Sequence, residues 1–180
     1  LVKITNAYTV DTNFNANLNG FVTKLALNGS SLYVGGNFTY SGSYARPHLV
    51  SVSATTGNVN VGFNSGLDSI PNELLVSGTN LYLGGSFKLI NSGFAGSRGA
   101  ALDLTTGIAN QNFPIIDGEV SATISDGNGG WFIGGTFTKI GTYKRKNLAQ
   151  IDSGGNVTAF NPEISGSVYA LSLSGTTLYV

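Results

Sequence analysis

The sequence predicts an all-β chain made of β-propeller blades, each a four-stranded antiparallel meander with a repeat of 47–50 residues. Three observations predict this. A Leu-Tyr-Val-Gly-Gly-x-Phe element starts at Leu32 and recurs at Leu81, Trp131 and, truncated, Leu178, in steps of 49, 50 and 47 residues. Phe14, Phe63, Phe113 and Phe160 precede these starts by a constant 18 residues. Between the anchors, apolar–polar alternation is punctuated by Gly and Asn turns, the pattern of short strands joined by hairpins.

Each element follows from local chemistry. The first strand of a repeat alternates with period two, as in Val22 to Leu27 and Val168 to Leu173. A hairpin turn follows at Asn28-Gly29-Ser30, Ser77–Asn80, Asp126–Gly130 and Ser174–Thr176, where Gly and Asn tolerate positive φ. The second strand is the Gly-Gly anchor. Gly35-Gly36, Gly84-Gly85 and Gly134-Gly135 are expected where neighbouring blades crowd or at a bulge, since a strand glycine admits close backbone approach. The third strand is Leu49–Val52, with counterparts at Ala100–Leu104, Leu148–Ile151 and Leu1–Ile4. After a Thr-Gly or Gly-Gly turn, the fourth runs into the conserved-spacing Phe, as in Val59–Phe63 and Val157–Phe160.

This divides the chain into the end of one blade (1–17), three blades (18–66, 67–116 and 117–163) and the start of another (164–180). An arc of a larger propeller is expected over a closed four-bladed ring, because Val180 stops short of the expected Gly-Gly. A solenoid-like stack is the lesser alternative. The absence of an initiating Met, with strand-like residues at both ends, suggests a fragment or processed segment.

Composition narrows the function. The 180 residues include 26 Gly and no Cys or Met, and only 10% are charged, nine basic against nine acidic. An average domain carries roughly 25% charge; stacked sheets with two buried faces account for the shortfall. A nucleic-acid partner is disfavoured without a cationic surplus. Zero Cys excludes a disulfide scaffold and a thiolate metal site. No apolar run reaches the roughly 18 residues of a membrane span, so no membrane insertion is expected.

The Gly-Gly-x-Phe anchor, the following Arg, the Thr-Gly turn and the closing Phe-Asn together resemble the delta-60 repeat propellers of bacterial surface and secreted proteins. Fungal cortical-marker propellers show a similar pattern. The resemblance covers essentially the whole chain. It implies a propeller on an extracellular or cell-surface protein, with no catalytic residues to carry over. Blade two departs with a longer loop before Arg98, and blade three with Trp131-Phe132 in place of Leu-Tyr.

Candidate chemistry is sparse. Arg46, Arg98 and Arg145 recur in one loop, and their repetition points to architecture, a guanidinium serving several loop carbonyls. Asp126 and Asn128 have the oxygen spacing of a cation loop, but they occupy a hairpin-turn position and lack the later Glu, so a turn is expected. His48, the only His, reads as a loop residue, and Lys144-Arg145-Lys146 as a solvated loop. The acids are scattered; Asp117 and Glu119, two apart near a blade start, could share a strand face as paired carboxylates, but solvated side chains are the expectation. Asn28, Asn37 and Asn156 begin glycosylation sequons. Tyr40, Tyr44, Phe94 and Tyr143 lie in the variable loop after the anchor, where exposed rings stack on sugars and packed rings serve the core. No cofactor is expected. The leading expectation is a non-catalytic surface scaffold or adhesion module, its partners being further blades or domains of the same protein and surface glycans or proteins. Carbohydrate binding or processing through the loop aromatics is the alternative. Assembly into a surface filament or sheath is a weaker one, suggested by open strand edges.

Overall fold

A computed structural model describes residues 1–180 except Ser92 and Gly96, with only the backbone of Phe94 and Ala95. The described residues form small antiparallel sheets and no helix. Unit one contains β1 (Phe21–Asn28), β2 (Ser31–Asn37), the two-residue strands β3 (Tyr40–Ser41) and β4 (Tyr44–Ala45), and β5 (Leu49–Ser53). Unit two repeats the order with β6 (Pro71–Ser77), β7 (Asn80–Gly85), β8 (Leu89–Ile90), β9 (Phe94–Ala95) and β10 (Gly99–Asp103). Unit three has β11 (Val120–Ser125), β12 (Trp131–Gly135), β13 (Lys139–Ile140), β14 (Tyr143–Lys144) and β15 (Leu148–Ile151). A last hairpin pairs β16 (Ser172–Ser174) with β17 (Thr177–Tyr179).

In each unit the anchor strand is central, giving the orders β1-β2-β5, β6-β7-β10 and β11-β12-β15. The expected fourth strand shrinks to one bridge per unit: Val52 to Val59, Leu102 to Ala109 and Ile151 to Val157. The reason is local. The Asn60 N–H still donates to Ser51, but its carbonyl then accepts from Phe63 N–H and closes a turn that ends the ladder. Asn110 repeats this with Phe113. Leu1–Ile4 likewise keeps only the bridge from Ile4 to Val10, since among the described residues no anchor strand lies beside it.

The first strands of successive sheets lie against each other, β1 on β6 and β6 on β11. The two glycines of each pair serve different contacts. A Cβ on Gly35 would sit 2.8 Å from Pro71 Cγ, and one on Gly84 2.5 Å from Val120 Cγ1. Gly134 meets Val168 in the same way. These first glycines therefore face the next unit. The second glycines face inward: a Cβ on Gly36 or Gly135 would collide with the carbonyl of Phe21 or Glu119 in its own sheet. That collision sits beside a β-bulge, between Val22 and Lys24 in unit one and between Val120 and Ala122 in unit three.

Aromatic rings fill the space between units. Tyr82 stacks on Trp131 at 4.6 Å between centroids, and Phe113 lies 6.0 Å from Trp131. Tyr33 packs edge-on to Phe63 at 5.3 Å, and its hydroxyl donates to the Leu104 carbonyl of unit two at 2.7 Å. Polar links cross the same seams: Lys24 pairs with Glu73 at 2.8 Å, and Asn72 donates to Glu119. One buried cluster thus runs through all three units, and a second joins Phe14, in the segment before unit one, to Val34, Phe38 and Val50 of unit one.

Candidate functional site

The elements that vary between units are the two-residue hairpins β3–β4, β8–β9 and β13–β14, which project from a constant framework. Their tips turn through Gly42 (φ 57°) and Gly141 (φ 56°), in the left-handed region that glycine enters without a Cβ clash. Each hairpin is tied down by an Asn or Asp just before its unit's first strand. Asn19 Oδ1 accepts from the backbone N–H of Thr39 and Tyr40, both at 2.9 Å. Asp68 Oδ1 accepts from Lys88 N–H at 2.9 Å. Asp117 Oδ1 accepts from Thr138 and Lys139 N–H at 2.8 and 2.9 Å, and its Oδ2 from the Thr138 hydroxyl at 2.7 Å. These positions recur at a constant step of 49 residues. That signal was legible, but the change from Asn to Asp hid it from a reading based on residue identity.

This clamp also separates Asp117 from Glu119. Glu119 accepts from Asn72 of the neighbouring sheet, whereas Asp117 holds the hairpin. Burial opposes ionisation of Asp117, but the Thr138 hydroxyl and the N–H groups of Thr138 and Lys139 outweigh it and hold its pKa below the usual carboxylate value. Asp103 and Asp152 are lowered too, first by the backbone N–H groups of Thr106 and Asn156 respectively. Asp126 closes its hairpin turn, Oδ1 accepting from the N–H of Asn128 and Gly130 and Oδ2 from Gln150. Among the described residues no three His, Asp or Glu side chains gather as a metal-binding group.

The arginines do not share one position. Arg46, 8% exposed, donates from Nε to Phe63, from one terminal nitrogen to Val61 and from the other to Ala45, all to carbonyls. Arg145 donates to the carbonyls of Lys144 and Thr158, and its buried Nε has no partner among the described residues. Arg98 sits two positions further along. Its carbonyl accepts from Gly85 N–H, as those of His48 and Asn147 accept from Gly36 and Gly135. It is thus the counterpart of His48 and Asn147, and its guanidinium donates to the Ser86 carbonyl. His48 and Asn147 both adopt φ 63°, and His48 Nδ1–H donates to the Gly36 carbonyl at 3.2 Å.

Tyr44 and Tyr143 are equivalent, 43% and 52% exposed. Each ring carries the guanidinium of its own unit's arginine, Arg46 at 5.7 Å and Arg145 at 5.4 Å from the centroid. Each borders the same kind of groove. In unit one a groove of ≈ 370 Å³ runs between Asn17, Tyr44 and Asn58; in unit three one of ≈ 280 Å³ runs between Asn112, Tyr143 and Asn156. Tyr40 is 48% exposed but pairs across the ladder with Ala45, on the face opposite Tyr44. Phe94 pairs with Ile90 through its backbone, and its side chain lies outside the described residues.

The third hairpin differs from the first in charge. Lys139 stands directly opposite Lys144 in the ladder, where unit one has Tyr40 opposite Ala45. With Arg145 and Lys146 they border a groove of ≈ 370 Å³ that also includes Thr138 and Glu163. No helix of the described residues is long and apolar enough to cross a membrane. Compared with known proteins, the chain matches no family, no curated protein and no solved structure.

Proposed function

We propose that the chain is a run of β-propeller blades acting as a non-catalytic scaffold or adhesion and interaction module of an extracellular or cell-surface protein. Its partners are further blades or domains of the same protein and surface glycans or proteins. The observation that carries this reading is the stacking of equivalent three-stranded sheets through their glycine anchors, with only the hairpins varied. A constant framework with variable exposed loops is how binding surfaces are built on repeats. The carboxylates support the non-catalytic part: one oxygen of each of Asp103, Asp117, Asp126 and Asp152 accepts from nearby backbone N–H groups of loops.

Replacing the tips of β3–β4 and β13–β14 with Gly-Ser should abolish adhesion of protein-coated beads to the host surface while leaving the circular dichroism unchanged. An epitope inserted at Gly42-Ser43 should be reachable on intact cells. Turnover in a hydrolase and transferase panel would overturn the non-catalytic reading, and an epitope reachable only after lysis would overturn the location. Small-angle scattering from the full-length protein tests the blade arrangement, since a disc with a central channel differs from a rod.

A second reading, carbohydrate recognition, is favoured by one observation: Tyr44 and Tyr143 border equivalent amide-rich grooves in two units. A glycan array on which binding survives both Tyr44→Ala and Tyr143→Ala would exclude it.

A further inference from the structure

We propose that the third hairpin binds an acidic oligosaccharide along a path that wraps around β13–β14. The inference rests on the carbohydrate reading of the Tyr143 groove and adds a charge preference and a location. Three grooves border this hairpin, each sharing a lining residue with another. The first, at Tyr143 and Asn156, shares Gly141 with a second of ≈ 550 Å³ that includes Gln111 and Ile115. The second shares Lys139 with the lysine groove. The ladder places Tyr143 on one face and the Lys139–Lys144 pair on the other, so a ligand meeting both must wrap around the hairpin, past the Gly141 and Lys139 that neighbouring grooves have in common. A linear chain of sugar rings has that shape.

The chemistry changes along the path as such a ligand requires. At one end are an exposed aromatic ring, held by Arg145, and neutral amides. At the other are the exposed Lys139, Lys144 and Lys146. Like charges directly opposite in a ladder are unfavourable. This chain is sparing with charge, and unit one builds the same hairpin without a cation at either position. Lys3 and Lys24 are paired with Asp11 and Glu73, whereas among the described residues no ion pair joins Lys88, Lys139, Lys144 or Lys146 to an acid, and of these only the last three gather at one groove. An anionic ligand supplies the missing counter-charge. Glu163 and Asp117 border the same grooves, and against these two acids the four cations Lys139, Lys144, Arg145 and Lys146 leave a local surplus of two positive charges. Nucleic acid is the poorer fit, because single strands are held by a series of stacked bases and Tyr143 is the one exposed ring among the residues lining these grooves.

The test is calorimetric titration of the full chain with oligogalacturonate, neutral galactan oligomers, poly-glutamate and single-stranded DNA. Oligogalacturonate should bind, more weakly as salt rises. The double variant Lys139→Gln/Lys144→Gln should raise its Kd about tenfold. Tyr143→Ala should raise it about fivefold, while Tyr143→Phe, which keeps the ring, leaves it unchanged. Equal binding of poly-glutamate or DNA, or indifference to Tyr143→Ala, would reduce the site to a general polyanion surface and overturn the proposal. Galactan bound as tightly and insensitive to the lysine changes would overturn the acid preference while leaving carbohydrate recognition standing. Binding of none of the four would overturn the proposal and, at this hairpin, the carbohydrate reading with it.

Discussion

Gly84→Ala isolates the contact that sets the spacing between units. The added Cβ would lie 2.5 Å from Val120 Cγ1, 2.9 Å from Val120 Cβ and 3.4 Å from the Val120 carbonyl oxygen. Apolar carbons in good contact sit about 3.5–4.0 Å apart, so the methyl overlaps the next unit by about 1 Å. Val120 has no room to yield: it is fully buried, and its backbone is paired with Gly135 in β11–β12. Rotating Val120 relieves the Cγ1 contact only, because Cβ and the carbonyl remain close. The expected cost is that of overpacking a dense core, about 2–3 kcal/mol. Equilibrium denaturation followed by the fluorescence of Trp131, the single and fully buried Trp, measures it. Combining Gly84→Ala with Val120→Ala should recover part of the loss, with a coupling energy of about 1 kcal/mol, because the two sites share one contact. Gly84→Ala within about 0.5 kcal/mol of the parent, the range of an ordinary surface change, would refute the assignment of this glycine to the seam.

Other seams and clamps give further expectations. Arg46→Ala strips the donors from the Phe63, Val61 and Ala45 carbonyls and should cost about 3 kcal/mol, whereas Arg98→Ala loses one half-exposed bond and should cost under about 1 kcal/mol; thermal denaturation distinguishes them. Asp117 has a folded pKa below its unfolded value of 3.8, so it contributes stability above that value that is lost as pH falls through the folded pKa. Asp117→Asn should therefore flatten the acid limb of the stability–pH curve below pH 3.8, and an unchanged limb would exclude the clamp as its source. Lys144→Gln removes the repulsion across β13–β14 and should stabilise the fold by about 0.2–1 kcal/mol in a urea titration.

Legibility of the fold and the site followed the range of the interactions. The anchors and turns could be read because their signals are local: Gly42 and Gly141 at tight turns, or alternation along a strand. The fourth strand is shorter than its composition predicts, since Val59 to Phe63 is strand-like in residue type but Asn60 turns the chain. Arg98 was aligned by residue type with Arg46 and Arg145, while its backbone bonding places it with His48 and Asn147. In the sequence Asp117 reads as a solvated acid two residues from Glu119, and nothing local marks the hairpin it holds twenty-one residues later. The Lys139–Lys144 opposition depends on hairpin register, which the Lys-Arg-Lys run alone does not reveal.

By itself, then, the sequence determined the all-β class, the repeat and the low charge, because alternation, turn glycines and composition act within a few residues. Only the tertiary structure decided which member of each glycine pair faces a neighbouring unit and which faces a bulge. It alone also showed which acids are occupied and which lysines oppose each other. The seam assignments join residues 34–36 positions apart for the glycines and 47–49 apart for the polar links, contacts that exist only once the sheets have stacked. The occupied acids and the facing lysines follow instead from how each loop and hairpin folds back on itself.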